Sequence, residues 1–311
     1  MSPKQLARLA IVLIALLLLW GAASLARRAS SGPSESDRFA LGSIPKDSVD
    51  SIVIQRAADT ARLARVDTGT WTVNGHRASP RGVQDILAAL ADTARRSELA
   101  GGRSASHAGF GVDSAKGARI RVVHGDSTIA DLVQGNRGAG LEGAYFRLAG
   151  DSAVYLVGGN LAQALEQTSD ELRDKRIAGV SADSVARIEV TRGRRTYGLR
   201  RDSTAWSFAA GGRADSAAVG ELLSSYAEVE AAGFATRAQA DSAKFARPDR
   251  RVALLRADGS PLLALVFDST ATGFWVRADG DSTVYRLDTW SADRLTPSDS
   301  SLKAKQKSLS P

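Results

Sequence analysis

GAYFRLAGDSAVYLV, at Gly143 to Val157, returns as GFWVRADGDSTVYRL at Gly273 to Leu287, a constant offset of 130 residues. Arg147, Gly150, Asp151, Ser152, Val154 and Tyr155 are answered by identical residues. A second match opens each copy: DSVDSIVIQR at Asp47–Arg56 against DSVARIEVTR at Asp183–Arg192. Between the two matches the order of features is kept. Trp71 in GTWTV corresponds to Trp206 in TAWSF, the helical stretch 81–95 to 216–230, Phe110 to Phe245, and RIRVVHGD at 119–126 to RVALLRADG at 251–259. Self-similarity over this length restricts the chain to folds made of two units on one plan, joined through Glu171–Arg192.

The pattern inside a unit fixes its class. Val49, Ile52 and Ile54 include the period-two spacing of a strand with one apolar face, and short strands are expected at 63–66 and 70–73, separated by DTG and NG turns. The period then changes. Ser79 is an N-cap candidate, Pro80 suits a first helical turn, and Val83, Ile86, Leu87 and Leu90 form an apolar helical stripe. Strand-like runs return at 118–124, 128–134, 145–148 and 153–157, with turn sequences between them, followed by a helix candidate over Leu161–Leu172. The expected fold is α+β: two duplicated antiparallel-sheet units with bracing helices, over 43–178 and 179–293. A basic tail at 294–311 without apolar periodicity is expected to be disordered.

Ahead of the units, Leu9–Ala26 is an uncharged, mostly apolar run flanked by Lys4 and Arg8 on one side and Arg27 and Arg28 on the other. As a helix it approaches the length of a hydrocarbon layer, so the expectation is one N-terminal transmembrane helix within an anchor at 1–28. A removed signal peptide is the alternative. A linker at 29–42 follows. This reading places the protein as a single-pass membrane component, in contact with the bilayer through residues 9–26, with its main domain outside the cytoplasm.

The formal charge of +7 does not argue for nucleic acid. Lys4, Arg8, Arg27, Arg28, Lys303, Lys305 and Lys307 account for all of it, leaving positions 31–300 balanced. Absence of Cys excludes disulfides, thiol nucleophiles and thiolate metal sites. His76, His107 and His124 lack helical metal-ligand spacing, and the GDS turns at Asp151 and Asp281 lack the spacing of a calcium loop. Neither Gly-rich segment ends in GK[ST], and no GxSxG occurs. No catalytic residue, cofactor or metal ligand is assigned.

What remains is a partner or ligand surface. Tyr145, Tyr155, Trp275 and Tyr285 lie in the repeated strands and either flank a groove or pack a core. Arg147 and Arg277 share a register suited to an anionic partner or to cross-strand pairing. Arg173 and Lys175, in ELRDKRI, read as a polar link or a docking patch.

The N-terminal apolar run, GTWTV, FGVD at Phe110–Asp113, AYFRL with AVYLV, and ELRDKRI together resemble the bacterial family called domain of unknown function 4340. The resemblance covers about residues 5–292. It implies an exported single-span protein of the bacterial inner membrane, with its main domain in the periplasm or outside the cytoplasm, associated with ABC-transport components of the gliding-motility type, and it brings no catalytic residues. The expected function is a non-enzymatic auxiliary component of an extracytoplasmic ABC-transport or envelope-assembly complex, with membrane transport or envelope proteins as partners. The alternative is a periplasmic glycan- or peptide-binding module. A hydrolase would need a polar cluster assembled from distant residues.

Overall fold

The computed structural model describes residues 39–139, 143–203 and 205–304. By internal contacts the chain divides between Leu172 and Arg173.

The first unit runs β1 (Ser51–Gln55), β2 (Thr60–Asp67), β3 (Thr70–Val73), β4 (His76–Arg77), α1 (Pro80–Ala91), β5 (Ser97–Gly101), α2 (His107–Phe110), β6 (Ala118–His124), β7 (Ser127–Arg137), β8 (Gly143–Leu148), β9 (Val154–Gly158) and α3 (Leu161–Glu166). Its sheet has the order β4-β3-β2-β1-β6-β7-β8-β9-β5, antiparallel throughout. Alternation sets the faces: Ile52 lies opposite Val122 and Ile54 opposite Ile120, and all four are fully buried. The helices cover that face. Ser79 caps α1 by accepting from the Gly82 N–H at 3.2 Å, and α1 buries Val83, Ile86, Leu87 and Leu90 beside Leu161 and Leu165 of α3. Burial of each large aliphatic side chain here is worth about 1.5–3 kcal/mol.

The second unit runs β10 (Arg176–Ala178), β11 (Arg187–Arg192), β12 (Arg195–Asp202), β13 (Ala205–Phe208), α4 (Ser216–Ser225), β14 (Val229–Glu230), β15 (Gly233–Phe234), α5 (Arg237–Ser242), β16 (Arg250–Leu255), β17 (Pro261–Thr270), β18 (Gly273–Ala278), β19 (Tyr285–Leu287) and α6 (Thr289–Leu295). Its sheet order, β13-β12-β11-β16-β17-β18-β19-β15, is that of the first sheet with the counterpart of β4 reduced to a single bridge between Ser207 and Arg213. A small ribbon, β10 with β14, is additional.

Several expectations are corrected. The run Leu9–Ala26 lies outside the described residues, and no helix among the described residues is long and apolar enough to cross a membrane. The longest of them, α1, has 12 residues, about 18 Å at 1.5 Å per residue against a layer of about 30 Å. The transmembrane helix, the bilayer contact and the single-pass inner-membrane location are therefore withdrawn, and the fold is α+β with two large antiparallel sheets. Within the expected linker, Phe39 is core. Its ring lies 5.9 Å from Phe146 and 5.8 Å from Tyr155, and its N–H donates to Ser97 Oγ. Within the expected tail, Leu295 and Leu302 are buried in the second core, and Leu302 O accepts from the Asp215 N–H at 2.8 Å.

Three helices stop short of their expected ends because side chains and strands compete for the backbone: α1 closes at Ala91 instead of 95, with the Ala94 N–H taken by Asp92. Chain leaves α3 at Gln167, where the Thr168 N–H is taken by Glu171 and the Ser169 N–H by Asp59. Beyond α4, Val229 and Glu230 pair with Ala178 and Arg176 instead of continuing the helix to 230. That pairing also places Arg176–Ala178 in the second unit, not at the end of the first.

Candidate functional site

Sheet register assembles a feature on the face opposite the main core. In the first unit Gln55 pairs with Arg119, Arg119 with Val133, and Val133 with Arg147, forming one lateral row across β1, β6, β7 and β8. In the second, Thr191 pairs with Arg251, Arg251 with Val266, and Val266 with Arg277. Both sheets thus carry an arginine–valine–arginine row. With neighbouring strands about 4.8 Å apart, the two arginine backbones of a row stand about 10 Å apart.

The first row, with Val133 as its floor, opens on a cavity of about 390 Å³ lined also by Gln55, Arg56, Asp113, Ser114, Arg119 and Arg147; Asp113 Oδ1 accepts from the Ala115 and Lys116 N–H groups. Arg147 is half-buried and donates from Nε to Val112 O at 2.8 Å and from Nη1 to Leu148 O at 3.2 Å. Both acceptors are neutral, so its charge meets no carboxylate there. Arg119 is paired: Nε and Nη2 reach Asp131 at 2.9 and 2.6 Å, and the hydrogen bond to that carboxylate raises the guanidinium pKa. Arg56 has another task. Its guanidinium caps the end of α3 through Leu165 O and Gln167 O, beside Asp59, and burial lowers its pKa.

In the second row, Arg277 stacks over Phe245 at 4.7 Å. Arg251 is exposed, and no ion pair or hydrogen bond of its guanidinium falls among the described residues. The structural arginines repeat too. Arg192 answers Arg56, donating to Thr296 O and Asp293 at the end of α6. Arg65 lies over Trp71 at 5.1 Å and Arg201 over Trp206 at 5.5 Å, each bonding a carbonyl before its first strand, Val49 O and Asp183 O.

The residues expected to form a partner or ligand surface are dispersed. Tyr145 is half-buried against Phe110 at 4.6 Å, in a small apolar cluster with Val112, Val133 and Val154. Tyr155 is 7% exposed in the first core. Tyr285 is 5% exposed, 5.7 Å from Phe234, with its hydroxyl donating to Asp281. These two tyrosines are core residues and contribute to no surface groove, because their strands point them inward. Trp275 is half-buried between the register partners Asp268 and Arg286. Arg173 stacks over Phe234 at 3.5 Å, and Lys175 supplies a carbonyl to the Ala231 N–H. Of the eight, Arg147 and Arg277 fall in the two rows.

Sequence reasoning overlooked Arg119 and Arg251, whose place depends on register, and Trp290, which is 66% exposed on α6 with Arg294 4.7 Å from its ring. Each histidine has separate surroundings: His107 contacts Ser152 O, His124 pairs with Asp50, and His76 lies on β4. Among the described residues no group of three or more His, Cys, Asp or Glu is placed to hold a metal.

The family model described as Domain of unknown function (DUF4340) matches residues 71–250. The chain belongs to this family. The match runs from β3 to the start of β16 and so takes in parts of both units. No curated protein and no solved structure matches the chain. DUF4340 membership carries no molecular function, and neither the match nor the structure supports the gliding-motility or ABC-transport association that the motifs implied.

Proposed function

We propose that this DUF4340 protein is a non-enzymatic accessory component of a larger assembly, binding an acidic partner surface through the arginine rows. The observation that carries the reading is that one row is built twice on the same plan, with Arg251 and Arg277 meeting no carboxylate among the described residues. Exposed guanidinium groups gain little from internal pairing but steer association with acidic surfaces and form bidentate contacts there. A role in transport or envelope assembly is the finer form of this reading, and its support is the likeness of motifs such as ELRDKRI.

The test is crosslinking of the full chain in its host, comparing wild type with the double variant Arg251→Glu/Arg277→Glu. The expected result is loss of a partner that wild type captures at low salt and releases as ionic strength rises. Unchanged capture by a double variant with a wild-type circular dichroism spectrum refutes the reading.

A further inference from the structure

We propose that the cavity on the second face of the first sheet binds a phosphate- or sulfate-type oxyanion, held by Gln55, Ser114, Arg119 and Arg147. The cavity of about 390 Å³ brings together donors that the fold leaves unused. Arg147 spends Nε and one Nη1 proton on carbonyl groups, so Nη2 is available, and Arg119 spends Nε and Nη2 on Asp131, so Nη1 is available. Among the described residues neither the Gln55 amide nor the Ser114 hydroxyl has a hydrogen-bond partner. Gln55 is adjacent to Arg119 in the row, and Ser114 lies in the segment that supplies Val112 O to Arg147.

Donors arriving from both sides of the Val133 floor suit an acceptor whose oxygens point in several directions, which a tetrahedral oxyanion has and a planar carboxylate lacks. The cavity has room for more than the anion itself, so the group is either free or an ester of a larger molecule. Repetition sharpens the assignment. In the second unit Thr191 replaces Gln55 and bonds Thr196 at 3.1 Å, while the Phe245 ring stacks on Arg277. There the row has an internally bonded threonine in place of the amide donor, and a ring lies on one face of the Arg277 guanidinium, so the site belongs to the first unit.

This inference stands on the cavity and its donors and is separable from the partner reading. Isothermal titration calorimetry on the full chain would use inorganic phosphate, inorganic sulfate and phenyl phosphate, each against chloride at matched ionic strength. Saturable one-to-one binding is expected, weakened about tenfold or more in Arg147→Met and unaffected in Arg251→Glu/Arg277→Glu. Phenyl phosphate binding at least as tightly as phosphate assigns the site to esters, and weaker binding assigns it to the free anion. Gln55→Leu and Ser114→Ala, which break no internal hydrogen bond, weaken binding several-fold and decide the matter if Arg147→Met fails to fold. Absence of saturable binding by all three probes, or affinity unchanged in Arg147→Met, or in Gln55→Leu and Ser114→Ala together, overturns the proposal. Anion binding that survives in a chain with no acidic partner leaves this site standing and the partner reading refuted.

Discussion

Tyr226 is fully buried in the second core, and its hydroxyl donates to Leu295 O at the end of α6. Replacing it with Phe keeps the ring and removes only the hydroxyl, so the cost isolates one hydrogen bond and the buried carbonyl left behind, about 1–3 kcal/mol. In native-state hydrogen exchange that is roughly a five- to 150-fold faster opening of α4 and α6 peptides, with first-unit peptides as the internal control. Alkaline pH supplies a second reading. Burial raises the Tyr226 pKa well above its ordinary value, and burial followed by the nearby Asp299 raises that of Tyr197, whose hydroxyl donates to Pro297 O at 2.7 Å. A tyrosine whose folded pKa exceeds its unfolded value of about 10 gives its full stabilisation below pH 10 and loses it as pH rises toward the folded value. The second unit therefore loosens between pH 10 and 11, and Tyr226→Phe loses less over that interval than wild type. Urea denaturation at pH 7 and pH 11 measures both effects. A cost below about 0.5 kcal/mol at pH 7, or an identical alkaline loss in variant and wild type, refutes the reasoning.

Arg56→Met removes the donor shared by Leu165 O and Gln167 O and should cost about 1–3 kcal/mol, seen as faster exchange in α3. Arg192→Met should cost less, under about 1 kcal/mol, because Arg250 also holds Asp293 and Thr296. At Gly143 and Gly273 a Cβ would collide with the carbonyl oxygens of Val157 and Leu287, backbone atoms that cannot swing aside. Each Gly→Ala change should therefore destabilise by about 1–3 kcal/mol or more in thermal melts. Gly42→Ala, with open space around it, should not.

Much of the fold could be read from the chain because alternation and duplication are local signals. β3 and β6 occupy the residues expected of them, Thr70–Val73 and Ala118–His124, and Ser79 caps α1 as its spacing implies. Helix ends were not legible. Asp59 decides where α3 stops from more than a hundred positions away, and Arg176–Ala178 takes Val229 and Glu230 for a ribbon. Neither signal exists in a helical periodicity. The rows were half legible: the matched segments named Arg147 and Arg277, but Arg119 and Arg251 join them only through the register of three strands. Tyr155 and Tyr285 misled because an aromatic residue in a strand reads the same whichever face it takes, and Phe39 shows which face Tyr155 took.

Duplication also separates two kinds of arginine that composition cannot distinguish. Arg56 and Arg192 make the same kind of bond in both units, a guanidinium on the carbonyls that end the last helix, and Arg65 and Arg201 keep the same tryptophan and the same type of carbonyl. An interaction kept through divergence of its surroundings is doing the fold's work. Arg147 and Arg277 keep their place in the row but change their neighbours: one bonds Val112 O at a cavity wall, the other stacks on Phe245. Arg119 holds Asp131, whereas the position facing Arg251's strand neighbour is Ala264, with no carboxylate to offer. The sheets do not need these second-face contacts to be alike, since their cores lie on the other face. Each row can therefore meet something different, and the proposed anion site can lie in the first unit while the second row presents Arg251 to solvent.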